Sequence, residues 1–377
     1  MGARPVPRPL SRSLDPIAGE SLGGYLLRLS WRLRVSPLHL ARLTGCIGDG
    51  PAAIRRRLLL DLDVPRFAHA ARLSASEAGS LTAASWADRY PPIARSRATQ
   101  EHRVLHDGWL FSASTRYCPD CLAGDGSPLQ QQYGGPWKKA WHLPVVFACL
   151  HHQRFLREGC PQGHPGGWPA PWRLIAFPSA STLHPAQCRL PPQAGTGGKA
   201  GRHRESCGTR LDQPGDDGLP PPGPGALDTQ QHLLALLAPQ HPASDAAGTF
   251  ADLRVISALL CKSWPLSEDL MDTPLAAAVS DHVRRLGTGY HQTLDRQPSG
   301  ILATAGLLTA AHAVRNSTDL ERALARHLHP RRHDTANTTW ARILSRHYST
   351  CTPALREAAQ SAIASQPAAS RRKPKRT

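Results

Sequence analysis

Six of the nine cysteines in this 377-residue chain lie between Cys118 and Cys207, and two short patterns among them could hold a metal ion. Cys118-Pro119-Asp120-Cys121 is a C-x2-C knuckle, and Cys149-Leu150-His151-His152 carries a cysteine and an imidazole in C-x2-H spacing. A C-x2-C turn sets two thiolates on one side of a tight loop. The distant pair closes a tetrahedron by pinning a second loop to the first, and sulfur and imidazole in that number make a zinc ligand set. His152 has the C-x2-H reach, with the adjacent His151 as its competitor. A second set, Cys160, His164, Cys188 and Cys207, opens with a C-x3-H knuckle and is split by a Pro-, Gly- and Lys-rich insert from Arg189 to Gly201. The cost of loop closure grows only logarithmically with length, so such an insert is compatible with one site. Two zinc ions are expected, and four protein ligands on each leave no open position for a catalytic water.

Patterns for other chemistry do not fit. A zinc deaminase requires H-x-E followed by P-C-x-x-C, whereas His203-Arg204-Glu205 lies downstream of the cysteine pair. No P-loop, nucleophile elbow or transposase-type carboxylate cluster stands out, so no catalytic residue is assigned and a non-enzyme is expected. In a reducing cytosol the cysteines would not pair as disulfides, and Cys46, Cys261 and Cys351 read as small buried apolar residues.

The elements that must position the knuckles are mostly helical. Ser21 or Gly19 starts an amphipathic helix carrying Tyr25, Leu26, Leu29 and Leu33, and Ser36-Pro37 caps a second that ends near Gly45. Two helices on a tight joint can be a DNA-reading helix-turn-helix, although any small helical domain uses the same joint. Asp49-Gly50-Pro51 opens a further helix with Arg55, Arg56 and Arg57, and Ser74 with Glu77 forms a capping box for another. From Trp109 onward, short strand-like approaches lead into the knuckles, helical periodicity is absent, and Trp137, Trp141 and Trp168 are expected to pack over the sites. Pro220-Pro221-Pro222-Gly223-Pro224-Gly225 reads as a linker. Beyond it, helical segments are expected at 229–237, 250–261, 274–286, 301–314, 317–327 and 337–348.

The resulting fold class is mainly α and multidomain. The expected parts are an N-terminal helical, helix-turn-helix-like region over 1–108 and a zinc-stapled finger or ribbon region over 109–212. A linker at 213–228, an all-helical domain at 229–365 and a disordered basic tail at 366–377 follow. Lys and Arg number 45 against 28 Asp and Glu, a net +17 with His neutral. That balance favours a polyanionic partner, DNA above all, through phosphate contacts and counterion release. Arg32, Arg34, Arg42, Arg55, Arg56 and Arg57 are the candidate DNA contacts. The N-terminus lacks the apolar core of a secretory signal and the myristoylation motif, and the run from Ile301 to Val314 is too short and too polar to span a membrane. A cytoplasmic, nucleoid-associated bacterial protein without a membrane partner is expected.

Several of these residues resemble the TniQ/TnsD family of transposition proteins. Gly19-Glu20-Ser21-Leu22 with Tyr25-Leu26-x-Arg28 is similar to the family's opening motif, and Arg116-Tyr117-Cys118-Pro119-Asp120-Cys121-Leu122 to its knuckle. The likeness continues through Trp141, Cys149-x2-His152 and Cys160-Pro161, over roughly the first 210 residues. It departs at His164, where the family usually has a cysteine, and at the insert between Cys188 and Cys207. The resemblance implies a target-selecting, DNA-binding accessory protein that recruits an AAA+ ATPase regulator and through it a transposase. In some relatives it implies work with an RNA-guided CRISPR effector complex. Homodimerisation is a further expectation. The residues alone would equally suit a zinc-ribbon, helix-turn-helix transcription regulator. A nuclease using His142 or His151 is the weakest reading, since it lacks an acidic ligand.

Overall fold

The computed structural model is mainly helical and describes residues 7–46, 62–98, 107–164, 183–190, 206–213, 215, 218–286, 297–327 and 350–364. Arg55, Arg56, Arg57, Trp168, the segment 337–348 and the basic tail lie outside the described residues. The chain divides into two compact units, Met1–Pro222 and Gly223–Thr377.

In the first unit, α1 (Leu22–Leu33) begins where the Ser21 hydroxyl accepts from the Gly24 N–H at 3.1 Å. The Ser36 hydroxyl caps α2 (Pro37–Leu43) by accepting from His39 N–H at 3.2 Å. Pro37 stands at the first helical position, where a proline forfeits no hydrogen bond. Three residues, Arg34 to Ser36, join the helices. Most of α1 is buried, whereas α2 exposes His39, Arg42 and Leu43. Helix α3 (Val64–Ala71) is capped by Asp63, and α4 (Ala75–Ser80) opens with a complete capping box between Ser74 and Glu77. Helix α5 (Pro91–Ala98) follows.

The middle of the chain lies against α1 along a narrow seam. Ser21 N–H donates to Trp137 O and Lys139 N–H to Gly19 O, both at 2.8 Å, around an antiparallel bridge between Glu20 and Lys138. A Cβ on Gly24 would come 2.8 Å from Trp137 Cβ, so only glycine allows this approach. Directly beneath, Arg28 Nη1 donates to Glu20 Oε2 at 2.7 Å, and both side chains are fully buried. Burial pushes the Glu20 carboxyl up to about 7, against the pull of the Arg28 charge. Lys139 adds a clamp: its ammonium donates to Ser80 O at 2.8 Å and lies over the Trp86 ring. The helical region over 1–108 and the cysteine-rich region over 109–212 share one compact unit.

Two antiparallel pairs frame the cysteines: β1 (Arg116–Tyr117) with β4 (Arg157–Glu158), and β2 (Ala148–Cys149) with β3 (Arg154–Phe155). Helices α6 (Pro119–Ala123) and α7 (Pro128–Tyr133) also lie in this region, where the sequence shows no helical periodicity. Both are too short for a period to register, and each opens with proline.

The second unit comprises α8 (Pro224–Leu236), α9 (Ala243–Ser263), α10 (Thr273–Leu286), α11 (Ile301–Arg315), α12 (Leu320–His327) and α13 (Pro353–Ala364). The linker expected at 213–228 ends earlier, since Pro224 and Gly225 form the first turn of α8. Helix α11, the most apolar run, packs against α8, α9 and α10. Its Gly306 faces Val279 so closely that a Cβ would lie 2.9 Å from Val279 Cγ2. Asp252 on α9 accepts from Thr352 N–H at 2.9 Å and from Arg315 Nε at 3.2 Å, tying α11 and the start of α13 to α9. Among the described residues no helix is long and apolar enough to cross a membrane.

Two outcomes follow from the seam. Gly24→Val is expected to lower stability by about 1–3 kcal/mol through overpacking on Trp137. Gly23→Ala, whose Cβ would meet nothing nearer than Ser21 Oγ at 3.9 Å, should be neutral or raise stability by up to about 1 kcal/mol. Urea unfolding of the two variants distinguishes them. The second outcome concerns Glu20. Native protein keeps the Glu20 proton between pH 4.5 and about 7, where the unfolded chain has released it. The stability owed to Glu20 therefore declines as pH rises through that window. The stability of wild type relative to Glu20→Gln should fall over the same range, and a flat difference would contradict it.

Candidate metal centres

The C-x2-C knuckle is built by α6, with Cys118 at its N-cap and Cys121 in its first turn, so both sulfurs share one face. Strand β1 delivers Cys118, and β2 delivers Cys149 into a hairpin whose loop carries His152. The loop turns at Gln153, which has a left-handed φ of 46°. His152 Nδ1 lies 3.3 Å from Cys118 Sγ, 3.3 Å from Cys121 Sγ and 3.5 Å from Cys149 Sγ, while Cys121 and Cys149 are 3.6 Å apart. Tetrahedral zinc would set sulfurs about 3.8 Å apart and sulfur and nitrogen about 3.6 Å apart. The donor set and its spacing thus fit a four-coordinate ion closely. The structure also separates the two neighbouring imidazoles: His152 joins the cluster, and His151 is exposed and meets the His152 ring edge-on.

The surroundings hold this geometry. Asp120 accepts from Arg154 Nη1 at 2.9 Å across the two arms of the cluster. Gly135 N–H donates to Leu122 O at 3.0 Å, and a Cβ on Gly135 would come 2.0 Å from Cys121 O, so the backbone behind the knuckle tolerates no side chain. Buried Trp137 contacts Tyr117 and Trp141, with ring centroids 5.7 and 6.3 Å apart. Arg116, 1% exposed, binds Glu158 and the carbonyls of Pro144 and Val146. Electrostatics favour a cation. Hydrogen bonds from Cys118 and Cys121 push the Cys149 thiol down, while bonds with Cys121 and Cys149, and then burial, push Cys118 up. Only a cation would let all three sulfurs ionise together.

The second cluster brings together Cys160, His164, Cys188 and Cys207, with donor atoms all within 4.8 Å of one another. His164 offers Nε2, 3.3 Å from Cys188 Sγ, and Cys160 Sγ lies 3.9 Å from Cys207 Sγ. Cys188 and Cys207 sit on facing arms. Cys188 N–H donates to Thr209 O at 2.9 Å, and Cys207 N–H to Leu190 O at 2.7 Å. Cys207 is the one partly exposed cysteine of the two clusters, and the Thr209 hydroxyl lies 3.0 Å from its sulfur. Burial raises Cys160 and Cys188. Trp137 Nε1–H donates to Pro185 O at 3.1 Å, and Tyr117 O–H to Gly159 O at 2.8 Å, so the two clusters share one scaffold. Among the described residues these are the two groups of three or more Cys, His, Asp or Glu arranged to hold a metal. Three thiols and an imidazole in each are compatible with zinc.

The TniQ family model matches residues 11–156. This segment is a TniQ domain. TniQ is a non-catalytic, transposition-associated accessory family. No curated protein and no solved structure matches the chain. The TniQ match takes in α1, the seam and the whole first cluster, and it ends before Cys160, so the second cluster lies beyond it.

The remaining candidates are distributed differently. His142 is 3% exposed, burial pushes it down to about 4, and it stands apart from both clusters. Arg42 is exposed on α2, Arg34 is exposed beyond the end of α1, and Arg32 is half-buried in its last turn. Sequence reasoning missed the Glu20–Arg28 pair as a structural unit, although both residues stood in the motif. Their spacing of eight residues brings them together only because residues 17–21 fold back over the helix start.

Metal analysis of the purified chain is expected to find about two zinc ions. Cys118→Ser should remove one and unfold the first unit, consistent with an apparent contribution on the order of 10 kcal/mol. Cys207→Ser should remove the other with a smaller loss of stability. Folded protein free of metal would refute both.

Proposed function

We propose that this chain is a zinc-containing, DNA-binding adaptor for transposition, which helps to select the target site and recruits an AAA+ ATPase regulator and, through it, the transposase. In this reading the ions at Cys118, Cys121, Cys149 and His152, and at Cys160, His164, Cys188 and Cys207, are structural zinc. They fix the shape of the first unit and take no part in chemistry, since four protein donors leave no coordination position for water or substrate. The protein would act at the nucleoid.

The observation that carries the DNA-binding part is a set of arginines at the end of α1 and on α2 that lack a carboxylate. Both units hold ion pairs, Arg116 with Glu158 and Arg154 with Asp120 in the first, Arg315 with Asp252 and Arg326 with Asp269 in the second. In the first unit Arg32, Arg34 and Arg42 have no carboxylate partner among the described residues. Formal charge adds to this. Residues 1–222 carry 27 Lys and Arg against 16 Asp and Glu, and residues 223–377 carry 18 against 12, five of the 18 in the last seven residues. Unpaired guanidiniums on a basic body supply the sequence-independent phosphate contacts from which DNA affinity is built. The less basic helical unit suits contact with protein partners, the ATPase or an RNA-guided effector complex among them.

Full-length protein is expected to bind duplex DNA with an affinity that falls steeply between about 50 and about 200 mM salt. It should also co-purify with an AAA+ ATPase encoded beside it. Salt-independent or absent DNA binding would refute the DNA part. Binding confined to an operator-like palindrome, without an ATPase partner, would favour a transcription regulator.

A further inference from the structure

At the C-terminal end of α1 two arginines lie against aromatic rings. The Arg34 guanidinium is 4.4 Å from the Trp31 ring centroid, and that of Arg32 is 5.4 Å from Tyr133. Trp31 is itself held in place. Its ring meets His184 edge-on at 5.6 Å, and its Nε1–H donates to Gln132 O at 3.3 Å. His184 belongs to the arm that carries Cys188, so the second cluster buttresses the stack from behind. Arg34 adopts a left-handed backbone, φ 57° and ψ 37°, at the helix cap, a place where glycine is the usual residue. Arg72 adopts the same conformation after α3 without a ring beneath it among the described residues. The left-handed cap is therefore not what sets Arg34 apart. The ring is.

We infer that Arg34 and Arg32 form an oriented clamp for the sugar-phosphate backbone of DNA, with Trp31 and Tyr133 as positioning residues. The inference rests on the DNA-binding reading and adds which contacts are directional. A guanidinium stacked on a ring uses its face for the ring and keeps its N–H edge for two parallel bonds to one phosphate. The ring also removes side-chain freedom that would otherwise be lost on binding. The negative end of the α1 dipole, about half a charge, opposes an anion here, but two full positive charges outweigh it. An apolar protein partner fits less well. Among the described residues the exposed large hydrophobics are Leu43 and Leu266, and neither belongs to the stack. Arg42, exposed on α2 and without a ring, contributes charge but no direction.

The test measures binding of full-length variants to a labelled duplex of arbitrary sequence, by anisotropy across a salt series, with zinc content and circular dichroism as folding controls. Arg34→Ala should weaken binding several-fold and reduce the salt slope by about one. Arg34→Lys keeps the charge and loses the fork, so it should weaken binding nearly as much while the slope stays. Arg322→Lys, at an exposed arginine on α12, should bind as wild type does. Trp31→Leu should lower affinity with the slope unchanged, because every charge remains; Tyr133→Leu makes the same test through Arg32. Wild-type affinity in both Arg34→Lys and Trp31→Leu, while the parent protein binds tightly, would overturn the clamp and leave the DNA-binding reading intact. Failure of the parent protein to bind would overturn both. Unchanged DNA affinity in Arg34→Ala together with lost binding to polyglutamate would assign the stack to an acidic protein instead.

Discussion

A fully buried ion pair at the start of the first long helix sets the terms for the first unit. Taking Glu20 and Arg28 out of water costs several kcal/mol per ion, which holds the Glu20 proton up to about pH 7, and the 2.7 Å contact with Arg28 offsets part of that cost inside the closed shell. The shell is closed by the seam between residues 19–24 and 137–139, where backbone hydrogen bonds and a bare glycine bring the helix against Trp137. Trp137 in turn touches Tyr117, beside the first knuckle, and donates to the arm that carries Cys188. Helix, ion pair and both clusters therefore form one mechanical chain. Metal at the clusters would be felt at the helix.

This dependence would let structural metal and the proposed nucleic-acid recognition share one body. The short strands of the middle region are two residues each, and such pairs have little stability of their own. Four-coordinate ions would replace the missing core, and the rigidity they impart would extend to the end of α1. The TniQ domain as matched stops before the second cluster. That cluster lies against Trp31 through His184, so it acts on the surface of α1 from outside the matched segment.

Much of this architecture could be read from local chemistry. Ser21, Ser36 and the Ser74–Glu77 box are caps whose partners lie three residues away, and all three helix starts fall where those residues place them. The donor spacing Cys118, Cys121, Cys149 and His152 was legible for the same reason, since each knuckle is a local turn. Helices α3 and α7 were missed even though Asp63-Val64-Pro65 and Ser127-Pro128 carry the same cap-and-proline signal as Ser36-Pro37. They are too short for apolar periodicity to accumulate. What could not be read locally were the long-range pairings: Glu20 with Lys138, Gly24 against Trp137, and Trp31 against His184. The linker was placed a few residues too long because proline and glycine in composition mimic a loop even where Pro224 opens a helix.

The bridge between Glu20 and Lys138 also bears on how the protein is made. Helix α1 emerges from the ribosome more than a hundred residues before the segment that covers it. At synthesis rates of roughly 5–20 residues per second, the face of α1 that meets Trp137 stays uncovered for on the order of ten seconds. The cysteines that complete the clusters arrive later still, Cys149 after Trp137 and Cys207 last. Order is thus imposed from the far end backwards.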